Sequence, residues 1–233
     1  MILNYDGFTA ASTLIHSLQG AALLLLGAVE AYSLDNPENK VKFAGPLALL
    51  AAAIAIPLAA LALPAGWSLE NFRPALDARR GFYLFIAFAC FFAASGLSRL
   101  TQLAIGRKDG GWQALFLAFL AACGALYFVL PWRVNEEAWR QTLPLHAAMG
   151  TTLLLAVAFK TAYVFSGRRK LHLAWAALLV VTALQLMTYR ETESSFGLRM
   201  VTMESAPELP AAGTADLPWS KNAPIADQKR PAH

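Results

Sequence analysis

Charged residues are scarce in this sequence: Asp, Glu, Lys and Arg make up only 15% of its 233 residues, against about a quarter in a soluble domain. Hydrophobic residues make up 57%, and the mean hydropathy is +0.46. The chain is therefore too apolar for a soluble domain of its length, and we expect a lipid bilayer to be its solvent. Its net charge of +4 needs no nucleic-acid partner, because loop Lys and Arg residues at a membrane surface account for it.

Several catalytic and binding motifs are also missing. The sequence has no Cys-x-x-Cys or haem c attachment motif, no phosphate-binding glycine loop, no Gly-x-Ser-x-Gly and no His-Glu-x-x-His, which argues against a hydrolase or a nucleotide-driven pump. Its two cysteines, Cys90 and Cys123, fall within apolar runs where small thiols pack. A redox or accessory subunit of a complex is thus favoured over a stand-alone enzyme.

Long apolar runs are what the sequence does have. Six of them approach the roughly 20 residues needed to cross a hydrocarbon core of about 30 Å, and short polar connections between them favour antiparallel neighbours. We predict an all-α integral membrane protein, with a six-helix transmembrane domain over residues 1–189. The predicted crossings are 11–32, 43–63, 82–100, 112–130, 143–165 and 171–189.

Residues 190–233 differ in composition from the rest. They contain five prolines, many small polar residues and an isolated tryptophan, Trp219. Such a segment cannot build its own core. We predict a proline-rich tail outside the membrane that is either disordered or laid along a partner subunit.

Two segments 130 residues apart in the chain are alike. His16 is followed four residues later by Gly20, and His146 by Gly150, and three consecutive leucines come next in both segments. The match predicts an internal repeat that relates crossings one and two to crossings five and six. Crossings one and five run in the same direction, so both imidazoles are expected at about one depth.

The paired histidines have the chemistry of a haem site. Two imidazoles can hold the iron from opposite sides, and Gly20 and Gly150 would let the porphyrin approach the helix backbone. Arg140 is expected on the same side of the membrane, where it could pair with the propionates, as could three further arginines: Arg79, Arg80 and Arg133. The arrangement resembles the general plan of membrane cytochromes b, in which histidines on separate helices hold the haem.

This resemblance implies electron transfer through a b-type haem, with a quinol pool or a docked redox protein as partner. Two other interpretations of His16 and His146 stay open. They could be interfacial or interhelical histidines without a ligand. They could instead hold a non-haem metal, which would need a further ligand such as Asp6, Glu136 or Glu137.

Two other functions are compatible with the sequence. A cofactor-free accessory or anchor subunit would bind a larger membrane complex through residues 190–233. A small transporter built from a duplicated helix pair is supported only by the potential kinks at Pro46 and Pro57.

Charged residues inside the apolar runs are few. Glu30 and Lys160 each follow the histidine of their segment by 14 residues, or about 21 Å along a helix. We predict a structural ion pair between them, with snorkelling of both side chains to the surface as the alternative. His172 is expected to be an interfacial residue at the start of crossing six.

The orientation in the membrane depends on the basic residues of the connections. Eight Lys and Arg residues follow odd-numbered crossings, Arg99 among them, against seven on the opposite side. The basic-free N-terminus and the Arg168 to Lys170 cluster decide this near balance. We predict a bacterial inner-membrane protein with both termini in the periplasm.

Overall fold

A computed structural model describes residues 5–106, 110–133 and 136–191 of the chain. These residues form seven α-helices and two short 3₁₀ helices, Lys40–Phe43 and Leu130–Arg133, and they contain no strand. The α-helices are α1 (Tyr5–Asp35), α2 (Ala44–Ala62), α3 (Leu69–Ala78), α4 (Phe82–Ile105), α5 (Gly110–Val129), α6 (Glu136–Ser166) and α7 (Arg169–Thr188).

Six of these helices are long and apolar enough to span a membrane, all but α3. They coincide with the six predicted crossings, so the prediction of a multi-pass membrane protein is confirmed. Three of these helices, α1, α4 and α6, are clearly longer than the apolar runs, since polar residues extend them at one or both ends. α1 and α6 each have 31 residues, about 46 Å of helix, which exceeds the thickness of the hydrocarbon core.

The short helix α3 was not predicted. It follows a turn in which Gly66 and Trp67 both have a φ of 61°, and the side chain of Ser68 caps it by accepting a hydrogen bond from the Asn71 backbone N–H at 3.3 Å. Its buried residues are Ala75 and Leu76. With 10 residues, α3 is too short to be recognised as a long apolar run. Its capping residue, Ser68, is the sequence signal for its start.

The six long helices form a closed ring. Each packs against the next in the order α1, α2, α4, α5, α6 and α7, and α7 packs back onto α1. α1 and α6, the two helices of the predicted repeat, are therefore separated by α7. The repeat itself stays a prediction.

Aromatic, aliphatic and polar side chains fill the interior of the ring, and aliphatic side chains cover much of its outer surface. The largest buried residues include Trp175, Tyr127, Phe88 and Phe116. Exposed residues such as Ile54, Leu97, Leu155 and Leu184 lie on the helices that can span the bilayer, where lipid would cover them.

The chain separates into two units, Met1–Leu198 and Arg199–His233. The second unit lies wholly outside the described residues, and so does Trp219, the isolated tryptophan of the predicted tail. The tail prediction for 190–233 therefore stays a prediction.

Candidate functional site

Two groups of buried polar side chains lie inside the ring, near its opposite ends. The histidine pair consists of His16 on α1 and His146 on α6. The ionic cluster consists of Glu30 on α1, Lys160 on α6, Arg99 on α4 and His172 on α7. The two groups are about 21 Å apart along the helix axes, because about four helical turns separate His16 from Glu30 on α1 and His146 from Lys160 on α6.

The two imidazoles of the histidine pair meet in the interior although their helices are not neighbours. Their ring centroids are 5.6 Å apart and their planes are inclined at 75°. His16 is 0% exposed and His146 is 1% exposed. Two histidine rings are thus held face to edge in a site closed to water.

Both histidines use the same nitrogen to bond to their own helix. His16 Nδ1 lies 2.8 Å from the carbonyl oxygen of Ser12, and His146 Nδ1 lies 2.9 Å from that of Thr142. A carbonyl oxygen only accepts, so each Nδ1 carries the proton and each Nε2 carries the free lone pair. Neither Nε2 has a hydrogen-bond partner, and both are buried.

This arrangement is the one that metal-ligating histidines adopt. Such residues donate the N–H of one nitrogen to a carbonyl, which fixes the ring and directs the other nitrogen at the metal. With metal–nitrogen bonds of about 2 Å, two imidazoles on one metal have their ring centroids roughly 5 Å apart at a tetrahedral angle and roughly 6.3 Å apart when they lie on opposite sides of the metal. The observed separation of 5.6 Å lies between these two values.

No third protein ligand accompanies the pair in the part of the chain that is described. No group of three His, Cys, Asp or Glu side chains there is arranged to hold a metal ion. Of the further ligands suggested by the sequence, Asp6 is exposed, and the side chains of Glu136 and Glu137 lie outside the description.

Aromatic residues enclose the histidine pair. The ring of Tyr189, which follows the last residue of α7, lies 4.7 Å from the ring of His16 and 5.0 Å from that of His146. Phe85 packs on His16 at 5.5 Å, and Tyr127 lies 6.4 Å from His146. These side chains keep water from both free lone pairs.

Tyr189 is held in place by the residue two positions later. Its hydroxyl donates to Glu191 Oε2 at 3.1 Å, and Ser12 Oγ donates to Glu191 Oε1 at 2.7 Å. Burial, and secondly the Glu191 carboxylate, raise the pKa of Tyr189 well above its usual value. The phenol therefore remains a neutral hydrogen-bond donor at every physiological pH.

The two predicted site glycines lie against neighbouring helices. A Cβ on Gly20 would come within 2.8 Å of the Ala183 carbonyl oxygen on α7. One on Gly150 would come within 2.8 Å of the Gly124 carbonyl oxygen on α5. In this structure both glycines allow close helix packing.

Arg140, the predicted partner of the propionates, is exposed near the start of α6. It precedes His146 by six residues, or about 9 Å along the helix. It thus lies on the same helix as His146 and between that histidine and the end of the bundle.

The ionic cluster joins four helices through one carboxylate. Glu30 Oε1 accepts from Arg99 Nη2 and Glu30 Oε2 from Lys160 Nζ, each at 2.5 Å. The structure thus brings Glu30 and Lys160 together, as the sequence predicted. His172 Nε2 donates to the Glu30 backbone carbonyl at 2.8 Å, and Lys160 Nζ donates to His172 Nδ1 at 3.1 Å.

Sequence reasoning missed two members of this cluster. Arg99 was assigned to a connection, but α4 continues to Ile105 and the Arg99 side chain is only 14% exposed. His172 was assigned to the interface, but it is 5% exposed and both of its nitrogens are bonded. For Arg99, the signal was the presence of turn-forming Gly106 only seven residues later, since a helix that ends there includes the arginine.

Comparison with known proteins finds no matching family model, no matching curated protein and no matching solved structure.

Proposed function

We propose that this protein is a membrane electron-transfer subunit that binds a b-type haem through His16 and His146. The observation that supports this most directly is the two buried Nε2 atoms without partners, each on a ring already fixed through Nδ1. Leaving a buried acceptor unsatisfied costs about 1–3 kcal/mol. A ligand that takes up both lone pairs removes this cost.

Haem suits this donor set better than a bare metal ion does. A porphyrin would supply four nitrogens of its own, so the imidazoles of His16 and His146 would complete the six ligands of the iron. A non-haem ion would need at least one further ligand from the protein for a tetrahedral or octahedral site. The described part of the chain offers no such third side chain beside the pair.

Tyr189 is one of the side chains that must move for a macrocycle to bind, because its ring contacts both imidazoles. It lies just beyond α7 and is not part of any helix. It can therefore turn aside without unwinding a helix of the ring. Arg140 is placed to compensate the charge of propionates at this end of the bundle.

Bound haem supplies one-electron oxidation and reduction, and the residues of this chain set the conditions for it. The carbonyls of Ser12 and Thr142 orient the two imidazoles. Phe85 and Tyr127 exclude water, which lowers the local dielectric. With both termini in the periplasm of a bacterial inner membrane, the site lies near the periplasmic face, where a quinol or a redox protein docked on the connections and the tail could exchange electrons.

Single histidine replacements test this proposal. We expect His16→Ala and His146→Ala each to lower the haem content of the purified protein strongly, because each removes one of the two nitrogens that would hold the iron. His233→Ala, at the end of the chain, is the matched control and should keep the full complement. Haem per chain is measured by the pyridine haemochrome assay after confirming that each variant runs as a folded species on gel filtration.

Full haem occupancy in His16→Ala would contradict the assignment. A wild-type protein without haem that remains folded and co-purifies with a larger complex would instead favour the cofactor-free accessory subunit.

A further inference from the structure

Three side chains beside the histidine pair are hydrogen-bonded to one another. We call them the latch: Ser12 on α1, and Tyr189 and Glu191, which follow α7. The two oxygens of the Glu191 carboxylate accept separately, Oε1 from Ser12 Oγ at 2.7 Å and Oε2 from the Tyr189 hydroxyl at 3.1 Å. One carboxylate therefore fastens the chain beyond α7 to α1.

The ring of Tyr189 is the part of the latch that contacts the histidine pair. It lies 4.7 Å from the ring of His16 and 5.0 Å from that of His146. Phe85 and Tyr127, the other rings described beside the pair, lie within α4 and α5, whereas Tyr189 lies beyond the last residue of α7. Tyr189 is thus the covering side chain that can move with the least disturbance of the helices.

Ser12 contributes to the latch and to the orientation of His16 through different atoms. Its carbonyl oxygen accepts from His16 Nδ1 at 2.8 Å, and its hydroxyl donates to Glu191. Replacing Ser12 by alanine removes the hydroxyl and keeps the carbonyl. The fastening can therefore be separated experimentally from the orientation of the imidazole.

We propose that the latch keeps the histidine pair closed in the haem-free protein and that its release admits the haem. The identity of the ligand rests on the proposed function, whereas the closure does not. Hydrogen bonds to a carboxylate are among the stronger ones in proteins, so the closed arrangement predominates. Glu191 is partly exposed, so water can solvate its carboxylate when the latch opens. A segment outside the helices opens at a lower free-energy cost than a packed helix does.

Chemical modification of the haem-free full chain in detergent tests the closure. Diethyl pyrocarbonate acylates an accessible, unprotonated imidazole nitrogen, and peptide mass spectrometry gives separate rates for His16, His146 and His172. We expect slow modification of His16 and His146 in the wild type, since both free nitrogens are buried. Ser12→Ala and Tyr189→Phe each remove one hydrogen bond of the latch and should raise both rates about tenfold.

Ser17→Ala is the matched control, because the Ser17 hydroxyl bonds to the Thr13 carbonyl of its own helix. This variant should react at the wild-type rates. His172, in the ionic cluster, should react equally slowly in all four proteins. Wild-type rates at His16 and His146 in both latch variants would overturn the proposal, and so would an equal acceleration at His172, which would indicate a general loosening. If one latch variant does not fold, the other decides.

The rate of haem uptake tests the second part of the proposal. Haemin added to the haem-free chain should bind about tenfold faster to Ser12→Ala and Tyr189→Phe than to the wild type, as followed by visible absorption. Faster modification with an unchanged rate of uptake would overturn the claim that the latch admits haem. A folded wild type that binds no haemin would contradict the proposed function and with it the admission of haem, whereas the modification rates would still decide the closure.

Discussion

Three buried histidines in the described part of the chain differ in what their second nitrogen contacts. His172 has partners at both nitrogens, a carbonyl oxygen and an ammonium group, and so acts as a structural link between helices. His16 and His146 each have a partner at Nδ1 only. The sequence predicted where the pair would lie, because helix direction fixes depth, but the second contact of each ring depends on tertiary packing.

Glu30 is expected to matter more for stability than either cation it binds. Glu30→Gln leaves both Arg99 and Lys160 buried without a carboxylate, and we expect it to cost about 3–5 kcal/mol. Lys160→Met still leaves Glu30 paired with Arg99 and should cost less. The unfolding temperature of Glu30→Gln should therefore be lower than that of Lys160→Met, and the reverse order would contradict this description of the cluster.

At the scale of helices, hydropathy predicted the spans well and their ends less well. Polar residues extend α4 past the predicted end at residue 100 to Ile105, so that Arg99, which was counted with the connection, lies more than a turn inside the helix. Gly20 and Gly150 were predicted to clear space for a porphyrin. The structure places them at helix contacts, and a sequence does not reveal which face of an apolar helix meets its neighbour.

Gly150 should be intolerant of even a methyl group. Its added Cβ would press on the Gly124 carbonyl, a backbone atom that can move only if α5 moves. Overpacking of this kind costs roughly 1–3 kcal/mol. We expect Gly150→Ala to lower the unfolding temperature by several degrees.

Gly110→Ala is the control for this prediction, because nothing lies within 4 Å of a Cβ at that position. Equal unfolding temperatures for the two variants would mean that α5 and α6 do not pack as closely as described.

At the scale of the whole molecule, the closure of the ring was not predictable. Short connections indicate which helices follow one another as neighbours, but nothing in the sequence pairs α7 with α1. That closure brings residues from three other helices to Glu30 and places two histidines from non-adjacent helices in contact. The two matched His-x-x-x-Gly segments therefore predicted that the two histidines lie at one depth, and the fold brings their rings into contact.

The orientation of the ring in the membrane is a separate prediction. With Arg99 buried in α4, the basic residues of the two sides balance at seven each, so the Arg168 to Lys170 cluster carries the argument. Single cysteines at exposed positions, in a chain lacking Cys90 and Cys123, test it. Glu70→Cys should react with a membrane-impermeant maleimide on intact spheroplasts, and Glu38→Cys should react only after lysis; the opposite result would invert the topology.

The central claim is that the histidine pair holds a redox-active haem, and the reduced-minus-oxidised visible spectrum of the detergent-purified wild-type chain tests it most directly. The chain should be expressed with an ample supply of haem. We predict the sharp bands of six-coordinate b-type haem at one haem per polypeptide. A folded, colourless protein would contradict the claim.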